Sequence, residues 1–204
     1  MRLTVTSFLT LDGVMQCPGA PDEDGTGFEY GGWSAPYADE DFGAFMTGHF
    51  ANADAFLLGR KTYEIFAGYW PRVTDPDHPI AAPLNRLPKY VVSGTLTEPG
   101  WPGTTVLTGD LAASVARLKA RPGNEIQVHG SGQLAGALIA HGLVDELRLM
   151  IFPVILGVGS GLFPRQPVAA AMQLAESSTT SKGVTILTLR PAGPATFGSL
   201  ADEA

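Results

Sequence analysis

The chain of 204 residues is long enough for one domain of ordinary size, and 45% hydrophobic with 16% charged residues is the balance of a protein with a packed core. A formal net charge of −7, with 13 Lys and Arg scattered along the chain, offers nucleic acid no basic face. No apolar run reaches the roughly 18 residues of a membrane helix, the N-terminal MRLTVTSFLTLDG alternates where a signal peptide would be continuously apolar, and a lone Cys17 excludes an internal disulfide. The expectation is a single-domain, acidic, cytoplasmic protein.

Residues 2–9, RLTVTSFL, alternate with Leu3, Val5 and Ser7 on one side and read as a strand. Leu11-Asp12-Gly13 is a turn. Residues 17–36 gather Pro18, Gly19, Pro21, Gly25, Gly27, Gly31 and Gly32, and read as a long mobile loop of the kind that serves as a lid. Ala38 to Ala53 carries Phe42, Phe45, Met46, His49 and Phe50 at helical spacing. Residues 54–58 then form a strand and 60–67 a short helix. Strands follow at 88–93 and 104–107. Asp110 caps a helix that runs through Leu111, Val115 and Leu118 to a stop at Pro122-Gly123. Glu125 to His129 is a strand, Gln133 to His141 a helix closed by Gly142, and Glu146 to Phe152 a strand. Met172–Ser177 and Val184–Arg190 make a closing hairpin, and the chain after Pro191 reads as a flexible tail over 191–204. This alternation predicts a mixed, mostly parallel sheet between two layers of helices, with antiparallel strands added by the hairpin.

In a parallel sheet every carboxyl end opens on one edge, and ligands bind there. Three such ends carry hydrogen-bond donors: Gly59-Arg60-Lys61-Thr62, Ser93-Gly94-Thr95 and Gly130-Ser131-Gly132-Gln133. Each has a plain alternative, namely a solvated helix start, a turn, and a turn with an N-cap. Together they suit a ligand with several phosphates, and NADPH matches that need. A ligand lying against Gly132 would be blocked by a side chain there. The third cluster lacks the spacing of the Gly-x-Gly-x-x-Gly fingerprint.

The run Leu57-Leu58-Gly59-Arg60-Lys61-Thr62-Tyr63-Glu64 resembles the segment of dihydrofolate reductases that grips the cofactor phosphates. Val128-His129-Gly130-Ser131-Gly132-Gln133-Leu134, Leu143 to Leu149, Pro153 to Gly157 and Gly161-Leu162-Phe163 resemble the reductase domain of the bacterial riboflavin-biosynthesis deaminase/reductase, whose opening Ser-Leu-Asp-Gly is similar to Thr10-Leu11-Asp12-Gly13. The resemblance implies a dihydrofolate-reductase-like three-layer α/β/α fold over residues 1–190, NADPH-dependent hydride transfer and a homodimer. It implies that Arg60, Lys61 and Thr62 meet phosphates, that Ser93 and Thr95 lie by the adenosine 2′-phosphate, and that Gly130 to Gln133 wrap the pyrophosphate and ribose. The zinc signature of the deaminase half is missing, and the acid that holds a pterin in dihydrofolate reductase has no counterpart at its usual distance from Gly59.

The cofactor carries the difficult step in such a reaction, but a proton must still reach the substrate. Candidate donors are Asp12, which also reads as a turn residue, and Asp39 at the first helix start, with Glu40 and Asp41 beside it, which also reads as a residue favoured by the helix dipole. Trp33 and Tyr37 are candidates for an aromatic wall against a flat substrate, or for loop anchors. Asp22-Glu23-Asp24-Gly25 lacks the spacing of a calcium loop. The four histidines have no metal-ligand spacing, and His129 reads as a core histidine. The expected substrate is a small pterin-like, flavin-precursor or related C=N or C=O compound. A nucleotide-binding module without turnover and a true dihydrofolate reductase are the alternatives. For a dimer, Leu147, Leu149, Ile151 and Val154-Ile155-Leu156 offer apolar surface.

Overall fold

The computed structural model describes residues 1–163 and 169–199. Strands β1 (Arg2–Thr10), β2 (Ala53–Gly59), β3 (Lys89–Val92), β4 (Thr104–Leu107), β5 (Glu125–His129) and β6 (Glu146–Phe152) alternate with helices α1 (Glu40–Ala51), α2 (Arg60–Tyr69), α3 (Ala81–Arg86), α4 (Leu111–Lys119) and α5 (Gly132–Ala140). The hairpin of β7 (Ala170–Thr179) and β8 (Thr185–Pro194) closes the chain. One sheet results, in the order β4-β3-β2-β5-β1-β6-β8-β7. The first six strands in that order are parallel, and β8 and β7 run antiparallel to their neighbours.

Successive strand residues face opposite sides of a sheet, so β2 serves two cores. Leu57 joins Val5, Ile126 and Val128 under Val115, Leu118 and Leu138 of α4 and α5. Phe56 and Leu58 join Met150 and Phe152 under Met46, Phe50 and Tyr63 of α1 and α2. This is the three-layer α/β/α sandwich that the alternation predicts. Among the described residues no helix is long and apolar enough to cross a membrane.

Three expectations need correction, and one helix is added. The segment 17–36 is not a loose strap. Its neck is closed by Gly32 N donating to Cys17 O at 2.8 Å and Ser34 N to Pro18 O at 3.1 Å, and Asp22 and Glu23 bind the amides of Gly27 and Gly19 inside it. It is a compact loop packed by its own polar groups. The chain after Pro191 is not all tail, because β8 continues to Pro194. Beyond Leu189, the last partner of β6, β8 pairs only with β7, so a proline's missing N–H costs no ladder bond there. Residues 200–204 lie outside the described residues. Leu147 and Leu149 are buried in the chain's own core and are not free for a partner. Helix α3 carries no clear helical pattern, because prolines surround it. It is held at both ends by side chains remote from any helix pattern. His78 Nδ1 accepts from Ile80 N and Ala81 N, and the fully buried Lys89 ammonium donates to Leu84 O at 2.8 Å and Leu87 O at 2.9 Å.

Candidate functional site

Because β3, β2 and β5 are parallel neighbours, the three donor clusters fall side by side on one edge of the sheet. Gly59 and Val92 are register partners, which sets Ser93 one residue beyond the end of β2. On the other side the chain leaves β5 through two successive left-handed residues, Gly130 at φ 53° and Ser131 at φ 60°. Serine is uncommon in that region and adopts it under constraint from its surroundings. The turn carries the Ser131 hydroxyl over β2, where it accepts from Gly59 N at 3.0 Å and lies 2.7 Å from Thr62 Oγ1.

What this does to the helix ends is informative. The first amides of a helix have no partner within it and are satisfied by caps, water or ligands. Asp39 caps α1 by accepting from Phe42 N, Asp110 caps α4 by accepting from Ala113 N, and His78 caps α3. Among the α-helices of the described residues, only α2 and α5, whose starts adjoin, have no side-chain cap, although Ser131 stands at the capping position of α5. Its hydroxyl is bound to Gly59 and Thr62 instead. Two bare helix N-termini, with their dipoles, thus converge on one point of the carboxyl edge, an arrangement that favours an anion.

The other expected residues take varied positions. Lys61 is exposed and forms no hydrogen bond or ion pair among the described residues. Arg60 is held by Glu64 at 2.7 Å on the same helix face. Ser93 accepts from Thr95 N and Leu96 N, so it builds the turn, while Gly94, Thr95 and Gln133 are exposed at the edge. Gly132 requires a correction. A Cβ there would lie 2.6 Å from the Leu162 carbonyl oxygen and 3.1 Å from that of Gly161. The glycine is demanded by the chain's own backbone, and a valine at 132 would disturb the fold before any ligand was affected.

The proposed proton donors also change character. Asp12 accepts from Thr10 Oγ1 at 2.5 Å and Gly157 N at 2.7 Å, and these bonds hold its carboxyl below the ordinary range. Asp39 accepts from Phe42 N and from Lys182 N, both at 2.8 Å, and is likewise lowered. Each is a carboxylate that ties two chain segments together, and neither holds a proton near neutral pH. Trp33 is buried, donates to Gln16 O at 2.7 Å and packs edge-on to Phe152, so it anchors the loop and lines no open wall. Tyr37 is half-buried against Phe152 with its hydroxyl 3.3 Å from Pro153 O.

A buried polar chain under α1 was not foreseen. Arg148 bridges Glu125 at 3.1 Å and Glu146 at 2.5 Å, and its Nη1 donates to His49 Nδ1 at 2.6 Å. His49 Nε2 then meets Thr6 Oγ1 at 2.9 Å. Gln127 Nε2 donates to His49 O and Glu125 Oε1, and Gln127 Oε1 lies 3.2 Å from His129 Nε2. The available signal was the alternation Glu125-x-Gln127-x-His129 and Glu146-x-Arg148 in strands otherwise apolar, which places every polar group on one face.

Two clefts lie elsewhere. One of about 370 Å³ lies between the end of α5 and the β7–β8 strands, and one of about 530 Å³ lies between α1 and β8 at the amino ends of the strands. The donor-bearing edge is the better candidate, because a dinucleotide lies along strand ends and needs no closed chamber.

The profile of the RibD C-terminal domain matches residues 2–186. The chain is 32% identical over 148 residues to the uncharacterized protein YyaP of Bacillus subtilis (strain 168), covering 72% of this chain and 77% of YyaP. It is 28% identical over 114 residues to YwjB of the same organism, covering 56% and 60%. Among solved structures, a Shewanella sp. PV-4 protein named for riboflavin biosynthesis superposes with a TM-score of 0.68 at 23% identity, over 94% of this chain and 99% of that one. A pyrimidine reductase-like protein from Corynebacterium diphtheriae superposes with a TM-score of 0.61 at 16% identity, over 93% and 91%.

Proposed function

The chain belongs to the RibD C-terminal domain family, which is of reductase type, and on that premise we propose that it binds NADPH along the carboxyl edge of β3, β2 and β5 and reduces a small conjugated C=N or C=O compound of pterin-like or flavin-precursor type. The convergence of the two uncapped starts of α2 and α5 carries this reading. When bound, the nicotinamide cofactor supplies the hydride. The chain's part is to hold phosphates at the amides of Arg60 to Thr62 and Gly132 to Leu134, to neutralise charge with Lys61, and to orient the Thr62 and Ser131 hydroxyls. Since Asp12 and Asp39 are held ionised, the proton that completes reduction reaches the substrate from water.

NADPH is expected to bind at least tenfold more tightly than NADH, since losing one charge-assisted contact costs about 1.5–3 kcal/mol. Lys61→Ala should remove most of that preference and Arg60→Ala less, because Arg60 is already engaged by Glu64. Fluorescence titration of both cofactors measures this, and equal affinities in the unaltered protein would sink the assignment.

We also propose a homodimer formed through the late strands. β7 is an open edge of the sheet, Leu174 on it is 53% exposed, and Ile155 beyond β6 is 69% exposed. Sedimentation at micromolar protein should return twice the chain mass, and a strict monomer would count against it.

A further inference from the structure

The cleft of about 530 Å³ between α1 and β8 opens over the polar chain at the amino ends of the strands, away from the proposed cofactor edge. The charges beneath it do not balance. The buried carboxylates of Glu125 and Glu146 meet three guanidiniums, those of Arg148, Arg2 and Arg190. His49, which also lines the cleft, is held neutral, first of all by burial. One positive charge is therefore in excess, in a chain whose formal net charge is −7. Glu176 of β7 lines the cleft too, but it is exposed and water screens its charge.

The three guanidiniums are not equally engaged. Every side-chain nitrogen of Arg148 donates to Glu125, Glu146 or His49. Arg2 and Arg190 instead reach for one oxygen, Glu146 Oε2, at 3.8 and 3.4 Å, and Arg2 reaches Glu125 at 3.3 Å. Charge-assisted bonds of this kind close to about 2.7–2.9 Å. Both side chains thus keep unspent N–H groups, and sharing one oxygen brings them within reach of a single oxyanion. The helix wall opposite is bare, since Ala44 and Gly48 of α1 line it. A Cβ on Gly48 would meet no atom within 4 Å, so packing does not demand the glycine. A glycine inside a helix costs about 1 kcal/mol against alanine. What it provides here is room.

We propose that this cleft binds a small phosphate or carboxylate compound, whose oxyanion bridges Arg2 and Arg190 and whose body lies against Phe45, Ala44 and Gly48. The planar fork of arginine presents paired N–H groups to either oxyanion. Glu146 does not bar the anion, because Arg148 already answers it at 2.5 Å from below. The site stands whether or not the carboxyl edge holds a nicotinamide cofactor.

The test is ¹H–¹⁵N NMR of the full chain titrated with sodium phosphate or sodium succinate, the ionic strength being held constant with chloride. Phosphate also suits the starts of α2 and α5, so the signals to follow are local: the Arg2 and Arg190 Nε–H groups and the Gly48 amide. These should shift and saturate with phosphate, with succinate or with both, and the choice tells which oxyanion the site takes. Arg190→Ala, at a side chain 61% exposed, should weaken the binding at least tenfold. Gly48→Leu, which fills the cleft and favours the helix, should do the same with the melting temperature kept or raised. Glu176→Gln should not weaken it. No saturation with either anion, or saturation that either of the first two variants leaves intact, would overturn the site. A loss of binding in Glu176→Gln would mean that the cleft takes a cation instead.

Discussion

Replacing Arg148 by leucine is expected to cost on the order of 3–5 kcal/mol of stability, because it strands two buried carboxylates. The Glu125 side chain has no exposure and that of Glu146 only 5%, and Arg148 touches both at short range. Arg2 at 3.3 Å and Arg190 at 3.4 Å approach these acids from the surface. Both are about half exposed, so water screens them and they recover only part of the loss. The substitution also takes a donor from His49 Nδ1. Arg148→Lys should rescue little, since an ammonium cannot span two carboxylates and an imidazole as the planar fork does. Adding Glu146→Gln to Arg148→Leu should recover part of the stability by removing one unpaired charge. Urea unfolding near pH 7.5 reads all three variants, and a loss below about 1 kcal/mol for Arg148→Leu would show that the charges find water or other partners.

The fold could be read from the sequence because its signals are local. Leu57 and Phe56 alternate, Asp110 caps, Gly142 stops a helix, and Gly59, Ser93 and Gly130 each punctuate an apolar strand. Parallel pairing then forces the three strand ends onto one edge. What could not be read depends on which atoms meet across the sheet. Ser131 was visible as a residue between two glycines, but that it forgoes capping α5 to bind Gly59, 72 positions away, follows only from the register of β2 beside β5. Gly132 looked like room for a ligand and is room for the Leu162 carbonyl. Asp12 and Asp39 had acid chemistry in sequence and anchoring geometry in space. His129, read as a core histidine, is one, buried against Phe50 and Phe56 with its Nε2 3.2 Å from Gln127 Oε1. A strand pattern gives the face on which a polar side chain lies and says nothing of whether each of its atoms has a partner.

The same buried histidines make the fold acid-labile in a defined window. Burial first, then the neighbouring His129 and Arg148, lower the pKa of His49 to about 2, and His129 is lowered to about 3. The hydrogen bond from Arg148 Nη1 to His49 Nδ1 explains the direction, since a proton on that nitrogen would face a guanidinium. In the unfolded chain both rings titrate near 6.5. Above that value neither state holds the proton and nothing is at stake. As the pH falls below 6.5 the unfolded chain binds protons that the fold refuses, so stability drains away until the folded pKa values are reached. Between pH 7 and pH 5 each histidine should remove about 2 kcal/mol, or about 4 kcal/mol for the pair, a large part of a typical domain's reserve. The carboxylates Asp12, Asp24 and Asp39, with lowered pKa values, add to this only below about pH 4, which separates the two windows. Calorimetric unfolding at pH 5 in buffers of different ionisation heat should register uptake of about two protons. His129→Leu should bring that to about one and halve the slope of stability against pH, whatever it costs at pH 7. A stability that stays flat from pH 7 to pH 5, with less than half a proton taken up, would mean that the imidazoles are already charged in the fold, and that the hydrogen-bond directions assigned from Glu125 to His129 must be reversed.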